Sequence, residues 1–275
     1  MKKKIIQSAL LFSAVTLLLT SCGKDDPAVP AATIVKEWSV PLSTTFENPA
    51  RAGRSETGTA TLQLYSDNSL KYTIAVTGLA AGDALIAAHI HTGDVITNGP
   101  VVLGLDPVFA GGNATGTISN VRTSFVDSLK TTTNELYFNV HSTQQPGGLV
   151  RGQMNIGIDL AADVALSGAN EPTPVITTAT GTASIRLTSD KKLYTKVTVI
   201  NLEPVDALTA AHIHSGPAGV NGGVLIGIAG SAADFNIVKM ITVSDVIFAS
   251  LKAGPIYANA HSVNHPGGVV RGQIR

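Results

Sequence analysis

All seven histidines of this 275-residue chain fall into two constellations. His89 and His91 stand in Ala87-Ala88-His89-Ile90-His91 and are followed by His141. His212 and His214 stand in Ala210-Ala211-His212-Ile213-His214 and are followed by His261 and His265. Each set closes on Pro-Gly-Gly-x-Val-Arg-Gly-Gln, which carries Arg151 in the first copy and Arg271 in the second. Residues two apart on a strand share a face, so His89 and His91 point together while Ile90 points the other way, and Val140 beside His141 is likewise apolar. If the two strands are neighbours, Ile90 and Val140 enter a core and three imidazoles converge on the outer face. Three histidines with an open position suit Zn or Cu, and Arg151 or Arg271 nearby would attract an anionic ligand. The same residues allow a structural reading. Histidines at strand ends bond loop carbonyls, Gly93, Gly99, Gly147 and Gly148 mark tight loops that need such pins, and the arginines tie loop carbonyls or a carboxylate.

The elements that must hold these residues come in two copies. His89 and His212 are 123 residues apart, and His141 and His261, like Arg151 and Arg271, are 120 apart. Thr57-Gly58-Thr59-Ala60 returns as Thr180-Gly181-Thr182-Ala183, and Asp83-Ala84-Leu85 as Asp206-Ala207-Leu208. Such fixed offsets indicate duplication of one unit. Thr59 to Tyr65, Lys71 to Thr77, Arg186 to Thr188 and Tyr194 to Ile200 are rich in β-formers and divided by turn residues, which predicts strands. The fold expected is all-β: two tandem antiparallel Greek-key-like sandwich or barrel domains, at 35–158 and 159–275, with the join near Met154 to Leu160. One short amphipathic helix per repeat is predicted, at Thr123 to Lys130 and Ser244 to Lys252.

Ahead of the repeats, Met1-Lys2-Lys3-Lys4 and the apolar run Ile5 to Leu19 read as an export signal, too short for an ordinary membrane span. The run closes on Leu19-Thr20-Ser21-Cys22, which resembles a bacterial lipobox, so residues 1–22 are expected to be a lipoprotein signal and Cys22 the lipidated residue. Cys22 is the single cysteine, which rules out an intrachain disulfide. Residues 23–34 read as a Pro/Ala-rich tether. Lys24-Asp25-Asp26 is similar to the signal that sends some lipoproteins to the outer face of the outer membrane. Removing Lys2, Lys3 and Lys4 from nineteen basic residues leaves sixteen against nineteen acidic ones, a net charge of −3 with no basic run, which argues against a nucleic-acid partner.

The motifs Ala88-His89-Ile90-His91, Asn98-Gly99-Pro100-Val101-Val102, Leu136 to Ser142 and Pro146 to Gln153 resemble the CHRD domain, named from the animal protein chordin. Ala211 to His214, Asn221 to Val224, Ile256 to His261 and Pro266 to Gln273 carry the second copy. The chain departs from the family at Leu149 and Val269, where a Glu is common, and at Gly223, where Pro is usual. The resemblance implies a secreted β-domain and supplies no activity. A further likeness is to copper/zinc superoxide dismutases, whose chain order also runs His-x-His, Val-His and an arginine. It would make His89, His91 and His141 copper ligands and Arg151 an anion guide, but the sequence shows neither a bridging histidine nor a zinc loop.

No nucleophile elbow, phosphate-binding loop or cysteine nucleophile is visible in the repeats. The expectation is a non-enzymatic, lipid-anchored envelope module that meets the membrane through Cys22 and an extracellular protein or glycan through its domains. The alternative is a metalloprotein with one mononuclear Cu or Zn site per domain, superoxide-dismutase-like in chemistry.

Overall fold

The computed structural model describes residues 30–275. The signal peptide, Cys22 and all but the end of the tether lie outside the described residues. Thr33–Arg275 forms one compact unit.

The first repeat contains strands β1 (Ile34–Ser43), β2 (Thr57–Tyr65), β3 (Leu70–Thr77), β4 (Leu85–Thr92), β5 (Val101–Gly104) and β6 (Asn113–Ile118), helix α1 (Thr123–Lys130), and strands β7 (Leu136–Ser142) and β8 (Val150–Gln153). The second contains β9 (Ile158–Ser167), β10 (Thr180–Thr188), β11 (Lys192–Ile200), β12 (Leu208–Ser215), β13 (Val224–Ala229), β14 (Lys239–Thr242), helix α2 (Asp245–Ala253), β15 (Ile256–Ser262) and β16 (Val270–Gln273). Each repeat is a single eight-stranded antiparallel sheet, ordered β5-β4-β7-β8-β1-β2-β3-β6 and β13-β12-β15-β16-β9-β10-β11-β14. The non-consecutive neighbours β4/β7, β1/β8 and β3/β6 give the Greek-key connections, and both helices fall where the apolar spacing predicts them.

Alternation builds the core. Trp38, Val40 and Leu42 from β1, Ala60, Leu62 and Leu64 from β2, and Leu70, Tyr72, Ile74 and Val76 from β3 all turn inward. Phe125, Val126 and Leu129 of α1 close onto the same cluster. The second core repeats this with Val164, Leu166, Ile185, Leu187 and Leu193.

One departure from alternation positions the site. Every residue of β7 from Leu136 to Val140 is buried, as is every residue of β15 from Ile256 to Ala260. These strands carry core on one side and loop-covered polar and aromatic residues on the other. The covering loop of the first repeat, 93–99, also meets the second repeat. Val95 and Ile96 pack with Tyr194, Ile156 and Ile158, the Ala50 amide donates to Asp163 Oδ2 at 2.6 Å, and Arg186 Nη2 donates to Glu47 O at 2.7 Å.

Candidate metal centre

Strand β4 pairs with β7, with Ala87 opposite His141, His89 opposite Asn139 and His91 opposite Tyr137. Ile90 and Val140 are fully buried in the core. This register places His89, His91 and His141 together on the outer face, and the pairing of β12 with β15 does the same for His212, His214 and His261. In both clusters one ligating nitrogen from each residue lies within 4.8 Å of the others.

The hydrogen bonds fix the tautomers. A carbonyl oxygen only accepts, so the 3.0 Å contact from His91 Nδ1 to Gly99 O and the 2.9 Å contact from His141 Nδ1 to Pro146 O place the proton on Nδ1 in both rings. Their Nε2 atoms then carry lone pairs when the rings are neutral. His89 Nδ1 lies 3.0 Å from His141 Nε2 and donates to it. His91 Nε2 is buried without a hydrogen-bond partner, in a residue only 9% exposed.

The second cluster copies each contact. His214 Nδ1 meets Gly222 O at 3.1 Å, His261 Nδ1 meets Pro266 O at 3.0 Å, and His212 Nδ1 lies 3.0 Å from His261 Nε2. His214 Nε2 is again orphaned, in a residue 8% exposed. Burial lowers the pKa of His89, His91, His141, His212 and His261, which favours the neutral, ligating form.

Histidines that give Nδ1–H to a backbone carbonyl and aim Nε2 inward have the usual orientation of metal ligands with their supporting shell. The donor set fits Zn or Cu, with His91 and His141 offering Nε2 and His89 offering Nδ1 once its proton moves to the far nitrogen. The acid Asp106 acts on His89, raising its proton affinity against the effect of burial. His89 pairs with Gly104 and His212 with Gly227, so Ala229 stands in the second repeat where Asp106 stands in the first.

The arginines sit beside these clusters but are committed elsewhere. Arg151 is fully buried; it donates to Asn98 Oδ1 at 3.0 Å, to Thr97 O at 3.1 Å and to Asp94 O. Its guanidinium lies 3.5 Å from the centre of the Tyr137 ring, on which His91 also stacks at 4.7 Å. Burial lowers the Arg151 pKa to about 10, which leaves it charged at neutral pH. Arg271 does the same with Asn221, Pro217 and Val220 and lies 3.3 Å from the Tyr257 ring.

Sequence reasoning missed the layer beneath these arginines. Glu47 is buried and accepts from Asn139 Nδ2 at 3.2 and 3.3 Å, and Glu171 lies against Asn259 in the same way. The signal was available: Tyr137, Asn139 and His141 alternate along one strand, so a polar residue between two site residues had to share their face. A second missed group, Glu203, Asp206 and His265, also gathers within 4.8 Å, in the second repeat.

A duplicated antiparallel β-domain with a histidine cluster held between loop carbonyls is thus the class of protein defined here. The CHRD domain matches twice, over residues 38–154 and 162–274, and the chain belongs to that family. It is similar to chordin of Danio rerio, 28% identical over 235 residues, which is 79% of this chain and 24% of chordin. The chain therefore spans about a quarter of the length of that curated relative. No solved structure matches it.

Proposed function

We propose that the chain is an exported envelope lipoprotein, tethered through Cys22 at the outer membrane, whose two CHRD domains are non-enzymatic binding modules that each hold one Zn or Cu ion. The ligands are His89, His91 and His141 in the first domain and His212, His214 and His261 in the second. The observation that carries the metal reading is the buried, unpartnered Nε2 of His91 and of His214. Leaving a polar nitrogen buried and unbonded costs about 1–3 kcal/mol, and both of these nitrogens belong to a group of three imidazoles whose ligating atoms lie within 4.8 Å of one another. Loop pinning alone accounts for Nδ1 and leaves Nε2 without a role. Turnover on an anionic substrate is not expected, because Arg151 and Arg271 are occupied by loop acceptors.

Elemental analysis of the soluble chain beginning after Cys22, prepared without a histidine tag, tests this against the His89→Ala/His212→Ala variant. Close to two ions per chain, lost in the variant, is the expected result. A folded protein that stays empty after incubation with Zn and Cu would reduce the histidines to loop pins. The tether is tested separately by whether Cys22→Ser releases the protein from the membrane fraction.

A further inference from the structure

The two repeats differ most tellingly where the first uses two arginines of its own. Arg51 Nε donates to Gly148 O at 2.7 Å, its Nη2 donates to Gly147 O at 3.0 Å, and Glu47 lies 3.6 Å away. Arg54 reaches Glu56 at 2.6 Å, Gln144 at 2.8 Å and the Asp83 carboxylate. Against the pull of burial, hydrogen bonds from the Gln144 amide, Arg54, Ser142 and Thr143 hold Asp83 well below the usual carboxylate range.

The second repeat keeps Glu171 and Asp206 as acceptors, has Ala179 where Glu56 stands, and drops both cations. The Arg51 amide bonds Thr44 O as the Val175 amide bonds Gly168 O, so Val175 stands where Arg51 would be. Counting back from Thr57 and Thr180, Thr177 stands where Arg54 would be. Glu171 and Asp206 occupy the places of Glu47 and Asp83. Among the described residues no lysine or arginine pairs with either. Glu171 is 7% exposed and held by Asn259, and Asp206 accepts from the Ala207 and Asn264 amides at 2.8 and 3.0 Å, so neutral donors alone bond these two carboxylates. Glu171, Val175, Ile176, Gly267 and Gly268 line a single groove.

The exposed surface has changed as well. Ile176, which lines the groove, is 100% exposed, and Val205 and Val263 are exposed elsewhere on the second repeat. Val205 replaces Gly82, and Val263 replaces Thr143, whose amides make matching bonds to Ala207 O and Ala84 O. Glu203, absent from the first repeat at Ala80, adds a further carboxylate within reach of Asp206. The groove thus carries Glu171 in its wall and Ile176 at its edge, and through His265 it meets the Glu203–Asp206 pair, with no arginine in either of the two positions.

We propose that this end of the second repeat binds an arginine-bearing segment of a partner protein, whose two guanidinium groups take the places that Arg51 and Arg54 fill in the first repeat. The spacing expected of the partner is Arg-x-x-Arg, as in Arg51 to Arg54. A guanidinium supplies paired donors to carboxylate and carbonyl oxygens at once, which an ammonium does less well. The groove uses none of the six histidines assigned to metal, so the inference stands apart from the metal reading.

A fluorescent peptide with the sequence of residues 49–55, Pro-Ala-Arg-Ala-Gly-Arg-Ser, is titrated with the mature Cys22→Ser chain, with and without a chelator. Saturable binding is expected in both conditions, weakened about tenfold when both peptide arginines become alanine and again by Glu171→Gln or Asp206→Asn. The Val175→Arg/Thr177→Arg variant fills the vacated places from within, so it should lose the peptide and gain thermal stability. The proposal is overturned if the peptide does not saturate, if the alanine peptide binds equally, or if the folded Val175→Arg/Thr177→Arg variant binds as the wild type does. It is also overturned if zinc taken up by Glu203, Asp206 and His265 in the wild type excludes the peptide, since the group is then a metal site.

Discussion

At the scale of single residues, the two histidine clusters are equal in geometry and unequal in charge. Asp106 supports His89, and Ala229 replaces it beside His212. A carboxylate near an imidazole raises its basicity through charge alone, and it also offsets part of the charge of a bound cation. On the proposed metal reading, Asp106→Asn is expected to weaken Zn binding in the first domain and leave the second unchanged, which isothermal titration would resolve as a change in one binding step. Glu47 gives a second residue-scale expectation. Burial raises its pKa from 4.5 to about 7, against the pull of Arg51, Arg151 and Asn139. The unfolded chain ionises this group first as pH rises, so the buried carboxylate costs stability between pH 4.5 and 7, and the cost is complete above that. Glu47→Gln should match the wild type near pH 4 and exceed it at pH 8, by up to about 3 kcal/mol at 1.36 kcal/mol per unit. Urea denaturation at the two pH values checks the sign, and an equal difference at both would mean that the carboxyl group does not titrate in this window.

At the scale of elements, the strands themselves were legible from period two, and the loops that cover the outer face of β7 were not. The β2–β3 and β10–β11 hairpins show alternation and turn residues, and the outward direction of the His-x-His pair follows from period two alone. The sequence places the join near Met154 to Leu160, and β9 begins within that stretch, at Ile158. Asp159, Ala161, Ala162 and Asp163 are weak β-formers, and β9 exists because β10 pairs along its length and the Ala50 amide of the first repeat donates to Asp163. The loops over β7 were hidden, since Arg151 fixes loop 94–98 across more than fifty residues of chain. Arg151→Met keeps most of the apolar volume on Tyr137 and removes the donors to Asp94, Thr97 and Asn98. It is expected to destabilise the fold by about 3 kcal/mol through the buried acceptors left unpaired. Because Gly99 in the same loop orients His91, it should also weaken metal binding in the first domain alone. Unfolding curves and metal stoichiometry measured on one preparation would separate this from a general loss of structure.

At the scale of the whole molecule, the outer face of the second sheet covers the loops of the first repeat, and that cover depends on residues the duplication does not share. Arg186 is fully buried and donates to Asp163 Oδ1 at 2.8 Å, to Ala162 O at 3.1 Å and to Glu47 O at 2.7 Å. Its counterpart in the first repeat, reached from the shared Thr-Gly-Thr-Ala motif, is Gln63, and the cross-strand neighbours of the two are Tyr194 and Lys71. The first sheet thus lacks the buried arginine and the aromatic contact that the second presents, so the packing joins these two repeats without providing for a third. Removing one member of a buried ion pair costs about 3–5 kcal/mol, because the other charge stays buried. Arg186→Gln, which installs the first repeat's residue in the second, is therefore expected to lower stability by an amount of that order. It should also split one calorimetric transition into two, since the Arg186–Asp163 pair links both domains through Glu47 and Ala50. A single transition at an unchanged Tm would assign the coupling instead to the apolar contact of Val95 and Ile96 with Tyr194, and Tyr194→Lys would then be the substitution that separates the domains.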